Sequence, residues 1–234
     1  MPNAPLRAIL VVDDEPKLRA AVRDALRGEA EQVLEAPSAK AAIATAEAER
    51  PDVIILDLGL PDQEGIEVCR AIRAWSSAPI IVLSARASEE EKARLLEAGA
   101  DDYVTKPFGT VELKARVRAQ ARRSRMEPVP GAEAPITIGE LTIDTGRRVV
   151  RRGGEPVHLT RTEWGLLRAL VSHAGRPMTH EQLFDAVWGR AHGDAQAYLR
   201  VYIAHLRRKL EPDPYLPRLI ITEPGVGYRF VLEP

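Results

Sequence analysis

The sequence predicts an α/β chain in two parts: a five-stranded, parallel, doubly wound domain, then a smaller domain of three helices closed by a hairpin. Three features predict it. As far as Arg123, short apolar runs alternate five times with helical patterns, the order of a mostly parallel sheet with crossover helices. Two of those runs, Ile54-Ile55-Leu56 and Ile80-Ile81-Val82-Leu83, are continuously apolar, which suits interior strands covered on both faces. Beyond the proline-bearing stretch Ser124–Pro135 the pattern changes to short alternating strands followed by three helical segments.

Taken in order, the first domain has strands at Arg7–Val12, Gln32–Ala36, Val53–Asp57, Ile80–Ser84 and Tyr103–Thr105. Between them fall helices near Lys17–Arg27, Ala39–Glu49, Gly65–Arg73, Glu89–Ala98 and Thr110–Arg123. Ser38 is a candidate N-cap and Gly99 a helix stop. In the second domain Ile136–Ile143 and Arg147–Arg151 read as strands joined at Asp144-Thr145-Gly146. Helices follow at Arg161–Ser172, His180–Val187 and Ala195–Leu210, with Thr160 and Thr179 as caps and Glu163 completing a capping box. Leu219–Thr222 and Tyr228–Leu232 flank a Pro224-Gly225-Val226-Gly227 turn. Three helices and then a hairpin is the order of a winged helix-turn-helix. The expected domains are residues 1–123 (flavodoxin-like) and 136–234, with 124–135 as linker.

Composition narrows the function. With 45% apolar and 29% charged residues among 234, the chain reads as globular. Nothing approaches the roughly 18–20 consecutive apolar residues that span a bilayer, and the short start is a poor secretion signal. The single cysteine, Cys69, excludes a disulfide framework and a cysteine-cluster metal site. It fits a reducing cytoplasm and reads as a small buried hydrophobe. Net charge is −1, so a nucleic-acid partner has to be argued from where the positive charges sit.

Asp13 and Asp14 follow the first strand and Asp57 ends the third. Carboxyl ends of parallel strands share one edge, where ligands bind. Three carboxylates converging there repel one another, and a hard divalent cation such as Mg²⁺ relieves the repulsion. Ser84 ends the fourth strand and Lys106-Pro107 follows the fifth, bringing a hydroxyl and a cation to Asp57; the Lys106–Pro107 bond is of the kind that adopts cis cheaply. An ionised Asp57 can then attack a phosphoryl group while the metal and Lys106 carry the charge on its oxygens and Ser84 donates a hydrogen bond. Glu15 fits a solvated helix start as well as a place in this site.

Asp13-Asp14, Asp57, Ser84 and Lys106-Pro107-Phe108 resemble the two-component receiver pattern, and nearly the whole chain resembles the OmpR/PhoB class of response regulators. Leu56-Asp57-Leu58-Gly59-Leu60-Pro61-Asp62 and Trp75 through Arg86 resemble its potassium-transport regulators in particular. The resemblance implies Asp57 as phosphoacceptor for a sensor histidine kinase. Asp14 would bind Mg²⁺ directly and Asp13 through water, with the Gly59 carbonyl as a further ligand. Ser84 and Tyr103 become a switch pair, although Tyr103 also reads as an ordinary strand aromatic. It implies a homodimer through Lys92 with Glu112, Asp102 with Arg116 and Asp101 with Arg123, with Leu95, Leu96 and Ala115 in or beside the patch. RNA polymerase is implied as a partner of Gly189–Asp194.

Tyr198 through Lys209 holds four fixed positive charges and no acid. Leu199, Tyr202, Ile203, Leu206 and Leu210 form a core stripe, leaving Ala197, Val201, Ala204 and Arg208 opposite, flanked by Arg200, His205 and Arg207. Small central residues let such a helix lie deep in the major groove of double-stranded DNA. Arg200 and Arg208 are assigned to bases or phosphates, Arg207 to phosphate, and Val201 to a thymine methyl; His205 is a contact or a neutral surface residue. The hairpin bearing Thr222, Gly225, Gly227, Tyr228 and Arg229 resembles the wing, with Tyr228 partly core. Trp164, Leu167, Leu170, Leu183, Val187 and Trp188 are assigned to core. Two other readings stand beside this one. One is a receiver-controlled protein-interaction module. The other is an Mg²⁺-dependent phosphatase, for which Glu15 two residues after Asp13 is an imperfect match and Asp57 is left without a role, or a flavin binder, for which the Asp-Asp-Glu start is a poor phosphate cradle. Slow self-dephosphorylation is compatible with a regulator.

Overall fold

The computed structural model describes residues 6–85, 88–124, 135–188 and 195–232, with backbone alone at 89, 92, 122–124 and 195–197. The chain divides into two compact units at Ser124/Arg125. Residues 125–134, nearly all of the expected linker, lie outside the described residues, as does Gly189–Asp194.

The first unit runs β1 (Leu6–Val12), α1 (Pro16–Ala25), β2 (Ala30–Ala36), α2 (Ala39–Glu49), β3 (Val53–Asp57), α3 (Gly65–Arg73), β4 (Ile80–Ser84), α4 (Glu89–Glu97), β5 (Asp102–Thr105) and α5 (Thr110–Ser124). The five strands are parallel in the order β2-β1-β3-β4-β5. Side chains alternate across the sheet with period two. Ile9, Val11, Val53, Ile55, Ile81, Leu83 and Val104 face one way, against Val22 and Leu26 of the α1 region and Leu113 and Val117 of α5. The other face, with Leu10, Ile54, Leu56 and Val82 fully buried, accounts for the continuous apolar runs. Ala39, Ala42 and Ala46 of α2 are also fully buried; their small side chains let that helix approach closely. Each fully buried Val, Leu or Ile contributes about 1.5–3 kcal/mol against about 0–1 for an exposed ion pair, so the sheet core dominates stability.

Two polar fixtures set the ends of these elements. Ser38 caps α2 as expected, accepting from Ala41 N at 3.3 Å. The Asp62 carboxylate, from the loop after β3, accepts from Ala39 N at 2.8 Å and Lys40 N at 3.0 Å on the same helix end. Gly99 takes φ +100 after α4, the left-handed stop expected there. Arg73 gathers the Gly99, Ser76 and Ala78 carbonyls at 2.9 Å each and the Asp101 carboxylate at 2.6 Å. The Lys106–Pro107 peptide is cis.

The second unit opens with a four-stranded antiparallel sheet, β6 (Ile136–Ile138), β7 (Leu141–Asp144), β8 (Val149–Arg152) and β9 (Glu155–Pro156). Ile136–Ile143 is thus a hairpin and not one strand. Gly139, at φ +55, makes its two-residue turn. Helices α6 (Arg161–Ser172), α7 (His180–Trp188) and α8 (Ala195–Leu210) follow, and β10 (Met178–Thr179), β12 (Gly227–Phe230) and β11 (Ile220–Glu223) form a three-stranded sheet in that order. Thr160 and Glu163 form the capping box; Thr179 and Gln182 make a reciprocal one at the start of α7. Trp164, Leu167, Leu170, Leu183, Val187 and Trp188 are all buried. Among the described residues no helix is long and apolar enough to cross a membrane.

Two outcomes follow from this packing. Cys69 is fully buried and burial pushes its thiol up to about 12. A thiol reagent at mildly alkaline pH should leave the native chain unlabelled and label it once after denaturation; native labelling at the denatured rate would put Cys69 at the surface. A Cβ on Gly65 would lie 2.4 Å from the Asp57 carbonyl oxygen and 2.6 Å from Leu58 Cα. Because the obstacle is backbone, Gly65→Ala should cost roughly 1–3 kcal/mol or more in urea unfolding, despite the about 1 kcal/mol by which alanine favours a helix. Gly109→Ala, which meets nothing within 4 Å, should change stability by less than about 1 kcal/mol.

Candidate functional site

The parallel sheet delivers the ends of β1, β3, β4 and β5 to one edge, and the chemistry-bearing residues lie there. Asp13, Asp14 and Asp57 bring carboxylate oxygens within 4.8 Å of one another. Asp13 and Asp57 are buried, at 1% and 8% exposure, whereas Asp14 is exposed. Lys106 Nζ donates to Asp57 Oδ1 at 2.6 Å and to Asp13 Oδ2 at 3.2 Å. Gly59 N donates to Asp57 Oδ2 at 3.2 Å, and Glu15 N to Asp13 Oδ1 at 2.8 Å. Glu15 thus serves the site through its backbone. Arg19 holds the Asp13 carbonyl at 2.7 Å.

Burial raises the Asp13 carboxyl above its ordinary value; the Glu15 N–H opposes this, the Asp57 charge adds to it, and Lys106 again opposes it. For Lys106, burial pulls the ammonium down, but the hydrogen bonds and charges of Asp57 and Asp13 outweigh it and leave its pKa raised. Asp57, Gly59, Ser84 and Lys106 line one cleft of about 410 Å³ that continues toward Glu91 and Arg94. Tyr103 is buried, at 8% exposure.

The face made by α4, β5 and α5 departs from expectation. Leu95 and Leu96 are each 1% exposed; they belong to the chain's own core and offer no surface. Asp101 is also 1% exposed, its Oδ2 taken by Arg73 and by Ile80 N at 3.0 Å. Asp102 accepts from Arg116 of the same chain at 2.8 Å, and Arg116 Nη2 donates to Glu112 at 2.9 Å. Ala115 is exposed, joined by Val111 at 81%. The side chains of Lys92 and Arg123 lie outside the described residues.

On α8 the stripe Leu199, Tyr202, Ile203, Leu206 and Leu210 is buried. Arg200 and Arg208 are exposed and Val201 and Ala204 half-buried between them; the Ala197 side chain lies outside the described residues. Arg207 departs from its assignment to phosphate: it donates to the Ile220 carbonyl at 2.6 Å and Thr222 Oγ1 at 2.8 Å, binding helix to hairpin. His205 lies 3.7 Å from Glu163, which also takes Lys209 at 2.6 Å, so His205 faces the interior. Arg229 is engaged across the hairpin by Glu223 at 2.6 Å, and Tyr228 is core, edge-on to His180 at 5.5 Å. Gly227 is buried because β10 crosses it: a Cβ there would sit 2.1 Å from the Met178 carbonyl oxygen. Thr222 and Gly225 are exposed, Gly225 with φ +74 at the turn.

Four side chains that matter here escaped the sequence in whole or in part. Asp62, Arg73 and Glu211 act through backbone groups outside their own elements; Glu211, 1% exposed, accepts from Arg218 N at 3.0 Å, and from Leu219 N and Ile220 N at 2.9 Å each. Glu163 is legible as a cap, but its bond to Lys209 is not. Gly65 carried a signal, a glycine opening a helix shortly after a strand-end aspartate.

Comparison with known proteins agrees with this division. The family model for the response regulator receiver domain matches residues 9–118 and that for the C-terminal domain of transcriptional regulatory proteins matches 154–230. The chain is 47% identical over 224 residues to the KDP operon transcriptional regulatory protein KdpE of Escherichia coli (strain K12), covering 96% of this chain and 99% of that one. Among solved structures, the response regulator DrrB, a Thermotoga maritima OmpR/PhoB homolog, is 32% identical with TM-score 0.52, covering 97% of this chain and 99% of that one. A mutant of RitR is 26% identical with TM-score 0.76, covering 96% and 98%. A carboxylate pocket at the receiver edge, a basic helix beside a hairpin and full-length kinship together make this chain a member of the OmpR/PhoB class of two-component response regulators, a phosphorylation-dependent transcription regulator.

Proposed function

We propose that Asp57 accepts a phosphoryl group from a sensor histidine kinase, with Mg²⁺ held by Asp13, Asp14 and Asp57 and by the Gly59 carbonyl. The observation that carries this is Lys106 Nζ at 2.6 Å from Asp57 Oδ1, inside a cluster of three carboxylates. The donor set suits the ion: all-oxygen ligands, with two negative charges left once Lys106 has balanced one. When bound, the metal neutralises charge on the phosphoryl oxygens. Lys106 orients Asp57 Oδ1 and adds a second positive charge. Gly59 N–H fixes Oδ2, and the Ser84 hydroxyl, on the same cleft, turns to the phosphoryl group with Tyr103 as its switch partner. Slow hydrolysis in this pocket resets the protein.

Phosphorylation then favours a homodimer in the cytoplasm. Val111 and Ala115 supply exposed apolar surface on that face. The Asp102–Arg116 pair of the single chain exchanges for its counterpart across the two-fold axis, with Lys92–Glu112 and Asp101–Arg123 beside it; for Asp101 this requires release from Arg73. Exposed pairs of about 0–1 kcal/mol each set register more than affinity. Arg200 and Arg208, with Val201 and Ala204 between them, enter the major groove, and Thr222 and Gly225 meet the backbone. Residues 189–194 are the contact for RNA polymerase. The 47% identity to KdpE of the KDP operon supports potassium-transport genes as the target.

Incubation with acetyl phosphate and Mg²⁺ should add one phosphoryl mass to the intact chain, mapped to Asp57. Asp57→Ala should abolish the adduct, chelation of Mg²⁺ should prevent it, and an adduct mapped elsewhere would refute the assignment. DNA affinity should fall steeply with salt, the sign of released counterions; salt-insensitive binding would favour a protein-interaction role for the second domain. Arg208→Ala should weaken specific binding by roughly 1–3 kcal/mol if it reads a base, or lower the salt slope by about 1 if it meets a phosphate.

A further inference from the structure

Three backbone N–H groups at the start of α2 are held by two side chains of different origin. Ser38 is local and takes Ala41 N; Asp62 reaches in from the β3–α3 loop and takes Ala39 N and Lys40 N. That loop leaves Asp57 and returns at Gly65, whose N–H donates to the Leu58 carbonyl at 3.0 Å. Between these points it presents Gly59 N–H to Asp57 Oδ2 at 3.2 Å. The Asp57 carboxylate is therefore gripped from two sides, Oδ1 by Lys106 and Oδ2 by the loop backbone. Leu58 is half-buried and Gly59 through Glu64 are half-buried or exposed. The loop is thus fastened by polar contacts more than by packing, and Asp62 is its tie to a neighbouring helix.

We infer that Asp62 is a positioning residue for phosphorylation: by fastening the loop to α2 it keeps Gly59 N–H on Oδ2 and the Asp57 carboxylate aimed at the incoming phosphorus. This rests on Asp57 as the phosphoacceptor. In the step concerned, an Asp57 oxygen forms a bond to phosphorus as the bond to the donor's leaving oxygen breaks; acetyl phosphate releases acetate with the electron pair, and no proton moves. Displacement of the carboxylate by a fraction of an ångström lowers the share of chains in attacking geometry. Asp62 touches neither donor nor reacting atoms.

Ser38 supplies the control that separates positioning from simple helix stability. Ser38→Ala and Asp62→Ala each remove a cap from the same end of α2, but only the second releases the loop. The full chain is followed by intact mass with acetyl phosphate and saturating Mg²⁺, and unfolding of each variant is measured in urea. Both variants should shift the urea midpoint down. The phosphorylation rate of Asp62→Ala should fall roughly five- to tenfold, that of Ser38→Ala should stay within about twofold of the parent, and Asp62→Asn, which keeps one acceptor oxygen, should lie between. Equal slowing in the Ser38 and Asp62 variants, or none in either, overturns the inference. Should Asp62→Ala not fold, a parental rate in Asp62→Asn overturns it as well. A parent chain that gains no phosphoryl group on Asp57 removes the phosphoacceptor reading, and the positioning role falls with it.

Discussion

The receiver is organised by a repulsion. A parallel sheet has no choice about where its strands end, and here two of them end in aspartates whose oxygens lie within 4.8 Å. Unit charges about 4 Å apart at an effective dielectric of about 20 interact by roughly 4 kcal/mol. That is a large fraction of the stability of an ordinary domain. The Asp13 carboxyl, raised first by burial and then by the Asp57 charge, carries a trace of that repulsion. Lys106 is the one ammonium bonded to both buried carboxylates among the described residues, and it reaches them from the far side of β4. The three carboxylates carry more negative charge than Lys106 balances, and that imbalance is what the proposed dication would relieve.

The DNA-binding unit treats buried charge in the opposite way. Glu163 and Glu211 are 2% and 1% exposed, yet each is fully engaged. Glu163 receives Thr160 N at 2.7 Å and Lys209 at 2.6 Å, joining the start of α6 to the end of α8. Glu211 collects the backbone N–H groups that lead the chain into β11. A buried carboxylate that loses its donors is left uncompensated, so both sets of bonds are costly to break. Asp101 and Asp102 of the receiver are paired in the same way, with Arg73 and Arg116, so among the buried carboxylates of the described residues the incomplete compensation is confined to the Asp13–Asp57 pocket.

Continuous apolar runs in the first unit, alternating ones in the second, and helix caps made most of the architecture legible. Ser38, Thr160 and Gly99 lie at helix ends because their signals are local. The strands β9 and β10 were not legible, since two residues carry no periodicity and their pairing comes from β8 and β12. Gly139 inside an alternating run was the clue that Ile136–Ile143 folds back on itself. In the pocket, residue types at strand ends were enough to find Asp13, Asp57, Ser84 and Lys106. Long-range side-chain contacts were not readable. Arg207, Arg229 and His205 look like DNA ligands on a helix wheel or a hairpin, but both arginines have acceptors within the fold and His205 lies 3.7 Å from the Glu163 carboxylate. Leu95 and Leu96 fall beside the charged face in sequence while a nine-residue helix turns both inward.

The Arg207 contacts have a mechanical consequence. One guanidinium, anchored in α8, bonds the first residue of β11 and the third, and lies 6.0 Å from the Tyr228 ring in β12. The basic helix and the hairpin are therefore not two appendages that adjust separately to a duplex. In the proposed complex their separation would be set by this contact, so a duplex whose groove width does not match it would have to deform, at an energy that depends on its sequence.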